Sequence, residues 1–497
     1  MEVLLVLPLD PMSTGRKPTV PLSAAQTLAM SELLKVAPTA RVLADRFTKA
    51  GHKLALVGGS VRDALLGRLS TDLDFTTDAK PEQTRAILDK WADAIWDTGA
   101  AFGTIAAKKG RENPVTLEIT TYRSEIYLDL SRKPEVVFGD ELEGDLHRRD
   151  FTINSMALEL TESEPVFVDP YGGLEDLAAK ILRTPAKPEI SFSDDPLRMM
   201  RAARFAAQLN FVVDQAALNA ISAMKERIAI VSAERVRDEF VKLLMASSPR
   251  LGLSILVESG LAEFVIPELP KLKLEIDEHH RHKDVYEHSL TVLDQAIALE
   301  DRVGGPNLVL RLAALLHDIG KPKTRAFISG GGVSFHHHEI VGAHLTKARL
   351  KALRFDKQTV EDVSTLVELH LRFHGYGSGE WSDSAVRRYV RDAGALLNHL
   401  HVLTRSDSTT RNQKKALALS NSYDELEARI ARLSEEEELA SMRPDLDGVQ
   451  IMAILGIPPS RAVGQAYNYL LELRIENGPL GAEQATKELK KWWASQA

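Results

Sequence analysis

The spacing of apolar and polar residues changes character once along the chain. From Gly51 to about Thr184, short apolar runs (LALVGG, LDFTT, GTIAAKK, VTLEITTYR, VVFG and PVFVDP) are separated by turn residues, which predicts strands with few long helices. After the break TPAKPEI, Thr184 to Ile190, apolar residues recur at helical spacing to the C-terminal end. Expected helices there include Pro196 to Leu209, Gln215 to Ile228, Ala233 to Ala246 and Leu251 to Ser259. Ahead of the strands, a polar leader runs into an amphipathic helix over roughly Ser23 to Lys49. The pattern predicts an α+β chain: an α/β head followed by helices.

One stretch of the head concentrates the chemistry, Leu54 to Thr77, LALVGGSVRDALLGRLSTDLDFTT. Leu54 to Val57 reads as a buried strand, Gly58 and Gly59 as a turn, and Ser60 as the cap of a helix from Val61 to Leu66 that Gly67 closes. Such a turn points several backbone N–H groups at one place, which attracts phosphate, and Arg62 adds a cationic fork. On the next strand Asp72 and Asp74 share a face, while Leu73 and Phe75 turn inward. Two adjacent carboxylates repel unless a cation lies between them, and oxygen-only ligation suits Mg²⁺. A phosphate cradle beside such a pair is the apparatus of phosphoryl or nucleotidyl transfer. Glu118, on one face of its strand with Thr116, is either a third ligand or a solvent-facing strand glutamate.

At 497 residues the chain exceeds what one core can hold, and its 44% hydrophobic and 27% charged composition is that of a globular protein. It contains 0 cysteines, so any metal must be held by oxygen or imidazole. The first residues carry a short apolar run without a basic segment, broken by Pro8 and Pro11, which reads as neither a signal peptide nor a membrane span. No membrane partner and a cytoplasmic location are therefore expected. The net charge of -8 argues against a protein coated in nucleic acid, though not against a local basic channel.

Downstream, Arg148, Arg149 and Asp150 in DLHRRDFTINSMAL, followed by Thr152 and Asn154, stand at an element boundary where they can reach a ribose or triphosphate. SFSDDPLRMMRAARF is expected to start a helix with Ser193 or Asp194 as cap and Pro196 in its first turn. Asp195 and Arg198, three apart, then share a face. An aspartate acceptor beside an arginine donor complements the base edge of cytosine or adenine, where an amino group adjoins an unprotonated ring nitrogen, and not that of guanine or uracil. SAERVRDEF, with Ser232, Glu234 and Arg235, reads as a structural helix start.

Taken in order, GGSVRD with LDFTT, RRDFTIN, DDPLRMMRAARF and ERVRDEF resemble the class II nucleotidyltransferase family of CCA-adding tRNA nucleotidyltransferases and bacterial poly(A) polymerases, over about Leu54 to Phe240. One departure is Asp194-Asp195 where that family usually has Glu-Asp. The resemblance implies a polymerase-beta-like head followed by neck, body and tail. It also implies Asp72 and Asp74 as metal ligands and Asp195 with Arg198 as the base-reading pair.

A second constellation begins at His279. His288, the doublet His317-Asp318, His338, His370, His374 and Asp407 lie on or at the edge of apolar-periodic helices, so several can converge inside a bundle. In a chain with 15 histidines such a concentration points to a metal site. His288, His317-Asp318 and Asp407 resemble the core signature of the HD phosphohydrolase superfamily, and His338 and His370 the extra ligands of its two-metal members. A divalent metal (Mg, Mn, Ni, Fe or Co) is expected there; whether the site hydrolyses anything is left open.

The expected organisation is a leader and helix at 1–50, a nucleotidyltransferase head at 51–185, a helical neck at 186–270, an HD-type body at 271–412 and a helical RNA-binding tail at 413–497. The expected activity is template-independent addition of CMP, CMP and AMP from CTP and ATP to the tRNA 3′ end, by a monomer or homodimer. Asp72, Asp74 and Glu118 are its candidate catalytic residues. Gly58, Gly59, Arg62, Arg149, Asp150, Asn154, Asp195 and Arg198 are the candidate nucleotide contacts. Poly(A) addition uses the same motifs, and a chain that is chiefly a metal-dependent phosphohydrolase is the alternative of another class.

Overall fold

The structure, a computed structural model, describes residues 23–496 apart from 25, 29, 32–37, 69–71, 100–102, 112–113, 127–134, 140, 162–163, 275–283, 328–332, 374–380, 411 and 438–442. The leader, His279 and His374 lie outside the described residues. Two compact units are present, one drawn from Met1–Glu239 and Ala246–Phe264, the other from Phe240–Met245 and Val265–Ala497.

The first unit is built on a mixed sheet. Its strands are β1 (Leu54–Val57), β2 (Asp72–Thr77), β3 (Ala94–Gly99), β4 (Thr104–Lys109), β5 (Val115–Thr121), β8 (Ala157–Glu159) and β9 (Val166–Val168), in the order β3-β4-β5-β2-β1-β8-β9. Between β5 and β8 in the chain, β6 (Arg123–Ile126) and β7 (Glu135–Phe138) form a separate antiparallel pair. The sheet pairs are antiparallel except for β2 with β5, which run parallel with Asp72 opposite Thr116 and Asp74 opposite Glu118. All four residues of β1 are buried, as a central strand covered on both faces requires. Along β2, Leu73 and Phe75 are buried while Asp72 and Asp74 are exposed, the alternation expected of a strand with one wet face. Strand β3 is not legible because Asp97 and Gly99 interrupt its apolar run.

Between β1 and β2 the chain forms α1 (Gly59–Leu65), not the Ser60-capped helix expected. Gly58 occupies the cap position with φ +65°, a conformation that favours glycine, and Ser60 lies inside the helix. The Ser60 hydroxyl instead accepts from the Asp74 backbone N–H at 2.9 Å, tying the helix to the strand that carries the acids. At the N-terminal end the described helix before β1 spans Pro38–Lys49.

Beyond the sheet come α2 (Pro188–Asp194) and α3 (Leu197–Leu209). Ser193 and Asp194 therefore belong to the end of one helix instead of capping the next, and Pro196 takes the cap position of α3. Ala202, Ala203, Ala206 and Ala207 of α3 are fully buried, small residues that allow close packing on α5 (Pro249–Glu258). Between them in sequence lies α4 (Ala233–Leu244).

The second unit is helical apart from a short hairpin, Ala326–Phe327 with Val333–Ser334. Its central helices are α6 (Val285–Ala298), α7 (Leu308–Leu316), α8 (His338–Ala352), α9 (Lys357–Leu369) and α10 (Leu397–Asp407). Helix α6 packs on α7 and α10, α7 on α9, and α8 on α9. Helix α11 (Gln413–Glu437) follows. The last three helices, α12 (Gly448–Leu455), α13 (Arg461–Asn477) and α14 (Gly481–Ala494), share a small core of Leu446, Ile451, Ala466, Leu470, Ala485 and Leu489. Among the described residues no helix is long and apolar enough to cross a membrane.

Candidate active site and histidine cluster

On the exposed face of the sheet, the parallel register sets Glu118 of β5 directly beside Asp74 of β2, with Asp72 two residues back on the same face. Protein packed around Asp74 raises its pKa, and the charges of Glu118 and Asp72 push the same way, while Arg149 and Arg62 oppose them. A carboxylate held reluctantly ionised among other carboxylates is a group that a divalent cation would relieve. The donors are all oxygen, the set that suits Mg²⁺.

The arginines beside this face are fixed by their own partners. Nη1 of Arg149 lies 2.9 Å from where a side chain on Gly58 would begin, so the guanidinium covers the glycine turn. Asp145, fully buried, holds both Arg148 at 2.7 Å and Arg149 at 3.1 Å. Burial alone would push the Asp145 carboxyl up, but the two guanidiniums keep it below its ordinary value. Arg62 donates to Asn154 Oδ1 at 2.6 Å, Asn154 donates to Asp150 Oδ1 at 2.9 Å, and Asp150 accepts from Arg201 Nε at 2.8 Å. Here too burial is outweighed: Arg201 and the Asn154 amide hold Asp150 well below the carboxylate range. Phe205 lies among three guanidiniums, 5.2 Å from Arg62, 5.3 Å from Arg201 and 4.0 Å from Arg204, which pairs with Glu239. Asp150 and Asn154, expected at the nucleotide, thus hold arginines.

The Arg198 N–H donates to the Asp195 carbonyl at 3.0 Å, but the side chains of the two residues have different partners. Asp195 Oδ1 accepts from the Leu197 N–H at 3.1 Å, and its Oδ2 pairs with Arg235 of α4 at 3.1 Å. Arg198 is buried and donates to the Ser191 hydroxyl at 2.9 Å and to the Arg148 carbonyl at 2.5 Å. Two arginines outside the candidate set pair with members of it: Arg235, which reads from the sequence as part of a structural helix start, with Asp195, and Arg201, one turn beyond Arg198, with Asp150. The i, i+3 spacing of Arg198 and Arg201 was the available signal; nothing local announces the partner Asp150.

In the second unit, α6 brings His288, the end of α7 brings His317 and Asp318, the start of α8 brings His338, the end of α9 brings His370 and the end of α10 brings Asp407. The ligand atoms of His288, His317 and Asp407 lie within 4.8 Å of one another, and so do those of Asp318, His338 and His370. Asp318 faces both groups, 3.2 Å from His317 through Oδ2 and 3.2 Å from His338 through Oδ1. Nζ of Lys321 approaches the same Oδ2 at 2.9 Å. Gly320 makes this approach feasible: a side chain there would begin 2.1 Å from the His338 carbonyl oxygen.

Nδ1 of His317, His338 and His370 lies 2.9, 2.8 and 2.6 Å from the carbonyls of Ala314, Phe335 and Val367, each three residues back. A carbonyl only accepts, so each Nδ1 carries a proton and each ring turns its Nε2 toward the centre of the cluster. Among the described residues Nε2 of His370 is buried without a hydrogen-bond partner, and that of His338 faces the Asp318 carboxylate at 3.2 Å. Buried ring nitrogens of this kind, on rings oriented from behind by carbonyls, fit a metal centre. Among the protein's own groups, burial lowers the His317 pKa, but Asp318 and Asp407 overcome it and hold it up at about 10. Burial, reinforced by His317, pushes His370 down to about 3. The carboxylates call for positive charge at the centre of the cluster.

Three stretches match family models: residues 54–183 the poly(A) polymerase head domain, residues 210–272 the probable RNA- and SrmB-binding site of polymerase A, and residues 285–412 the HD domain. The A-adding tRNA nucleotidyltransferase of Deinococcus radiodurans is 33% identical over 451 residues, covering 89% of this chain and 96% of that enzyme. The CCA-adding enzyme of Streptococcus gordonii is 41% identical over 230 residues, 46% of this chain and 54% of that enzyme. Among solved structures, the Bacillus stearothermophilus CCA-adding enzyme in complex with CTP superposes with a TM-score of 0.62 at 22% identity, over 92% of this chain and 97% of that one. The Thermotoga maritima CCA-adding enzyme complexed with tRNA gives a TM-score of 0.59 at 17% identity, over 94% and 98%. At those identities the likeness is one of fold.

Proposed function

The chain belongs to the tRNA nucleotidyltransferase family, and on that footing we propose that it adds CMP and AMP from CTP and ATP to the 3′ end of tRNA with release of pyrophosphate, in the cytoplasm. The observation that carries this reading is the pairing of Asp74 with Glu118, beside Asp72 and next to the glycine turn that Arg149 covers. Asp72 and Asp74, with Glu118 alongside, would hold Mg²⁺. Bound there, the cation would supply activation of the 3′-hydroxyl and charge neutralisation on the phosphates.

The chain's own groups do the rest. The Gly58 N–H is taken by the Met156 carbonyl at 3.3 Å, so the backbone N–H groups that face the triphosphate are those from Gly59 on, where α1 begins, and Arg62 and Arg149 add charge. Asp145 holds Arg149 and Asn154 holds Arg62, with Asp150 bracing Asn154, so their contribution to nucleotide binding runs through the arginines. Asp195 and Arg198 read the amino group and ring nitrogen of cytosine or adenine, each exchanging a present partner for the base. In the second unit, His288, His317, Asp318, His338, His370 and Asp407 would hold a divalent cation, with ligand chemistry that Mg, Mn, Ni, Fe or Co satisfies.

A second reading, addition of AMP alone, is favoured by one observation: the A-adding relative aligns over 96% of its length, whereas the S. gordonii CCA-adding relative aligns over 54%. The test offers two tRNA transcripts, one lacking CCA and one ending in CC, with CTP and ATP separately and together. Extension of the first by C, C and A supports CCA addition. Extension of the second alone, by one A, supports A addition, and a long A tract means poly(A) synthesis. No extension of either overturns the proposal.

A further inference from the structure

Three imidazoles of the histidine cluster are backed by carbonyls, but His288 is not. Its Nδ1 lies 3.3 Å from the hydroxyl oxygen of Thr409. The carbonyl three residues before it, that of Val285, accepts the Ser289 hydroxyl at 3.0 Å instead. A carbonyl fixes one tautomer, whereas a hydroxyl both donates and accepts and so supports either. The other nitrogen of His288 also has a partner: its Nε2 stands 2.8 Å from Asp407 Oδ1. With the proton on Nε2, the ring donates to Asp407 and Thr409 donates to Nδ1. With the proton on Nδ1, the ring donates to Thr409, and the Nε2 lone pair faces the same centre as the Asp407 carboxylate.

The turn bearing Thr409 is itself anchored. Tyr423 of α11 donates to the Thr404 carbonyl at 2.7 Å, so in its 3.0 Å contact with Ser408 the serine hydroxyl is the donor. The buried tyrosine thereby pins Ser408, with Asp407 on one side of it in the chain and Thr409 on the other.

We propose that Thr409 is the positioning residue for His288, whose hydroxyl orients the imidazole and makes it the exchangeable ligand in a cluster where the other three imidazoles are preset. This rests on the cluster being a cation site. The test uses the full chain, stripped with EDTA, titrated with Mn²⁺ by calorimetry and with Co²⁺ by visible absorption. Binding that His317→Gln removes is assigned to the cluster. Thr409→Val, which keeps the shape and removes the hydroxyl, is expected to weaken that binding by about 10–100-fold, the usual effect of losing an outer partner of a metal-bound histidine. It should also alter the Co²⁺ spectrum, and Thr409→Ser should restore both. Should the valine variant fold poorly by circular dichroism, Thr409→Ala is read in the same way. Wild-type Mn²⁺ affinity and an unchanged Co²⁺ spectrum without the hydroxyl, while His317→Gln still loses binding, overturn the role of Thr409 and leave the cluster reading standing. Absence of any binding sensitive to His317→Gln overturns both.

Discussion

The acids of the head and the histidine cluster of the second unit are both suited to a cation, and they are built in opposite ways. Asp72 and Asp74 lie at exposed positions of their strand, and their donors are all carboxylate oxygens. His317, Asp318, His338 and His370 are buried, with three rings already held from behind by carbonyls. Exposed carboxylates hold a hard cation weakly, and a phosphate-bearing substrate commonly completes its shell. A buried set of imidazole and carboxylate ligands, oriented in advance, is complete within the protein. The difference suggests that the head takes its cation with each nucleotide, whereas the cluster keeps a resident one.

The largest effect that would break this comparison is on incorporation. Asp74→Asn is expected to reduce nucleotide addition to tRNA by about a hundredfold or more, since a catalytic cation contributes several kcal/mol. His317→Gln is expected to leave it unchanged, and a steady-state assay of both variants checks the contrast. Equal losses would mean that the two sites act as one.

Next in size is retention. After the chain is loaded with Mn²⁺ and passed through gel filtration, the protein should keep cluster metal and lose head metal, as read by elemental analysis of wild type, Asp74→Asn and His317→Gln. At saturation the resident metal should stabilise the second unit by about 3 kcal/mol for ligand at a hundred times its dissociation constant, lost on adding EDTA.

Base selection sharpens the head's side of the comparison. Asp195→Ala removes the acceptor for the amino group and is expected to reduce discrimination against UTP and GTP by about 10–100-fold, the range of one or two hydrogen bonds of readout. Competition between nucleotides on a single tRNA measures it. Because Asp195 also holds Arg235, Arg235→Ala serves as the control for loss of that ion pair alone.

The smallest effect is on stability. The pKa of Asp74 is raised in the folded chain above the ordinary 3.8, so ionised Asp74 disfavours the fold. That penalty is absent below the unfolded value, grows as the pH rises toward the folded one, and is complete above it. In EDTA, Asp74→Asn should therefore slightly raise the melting temperature at neutral pH and leave it unchanged below the unfolded pKa. Thermal melts at the two pH values test the sign.

Much of this was legible in local patterns, and the reason is periodicity. The period of two along β2 was enough to put Asp72 and Asp74 on one face, and the helical spacing around His288, His317, His338, His370 and Asp407 marked each as an element edge or face. What failed locally did so where two readings of one residue compete. Ser60 has the side chain of a cap, yet Gly58 takes the cap position because it tolerates φ +65°, and the serine hydroxyl serves β2 instead. Ser193 and Asp194 look like helix starts, but Pro188 begins a separate helix that uses them at its end. Arg235 was read as structural because its partner Asp195 comes from a distant element.

The sequence by itself determined the residue types and their local faces: oxygen donors on a strand, a glycine turn with arginines, and histidines and aspartates on helices in a chain without cysteine. Only the tertiary structure decided which of them meet. The parallel pairing of β2 with β5 chose Glu118 as the neighbour of Asp74, and the close approach that Gly320 permits set His338 against Asp318. It also decided that Asp150 serves Arg201, and that Thr409 stands behind His288. The physical reason is that periodicity is a property of neighbours along the chain, whereas strand register, backbone approach and hydrogen-bond partners depend on segments that only folding brings together.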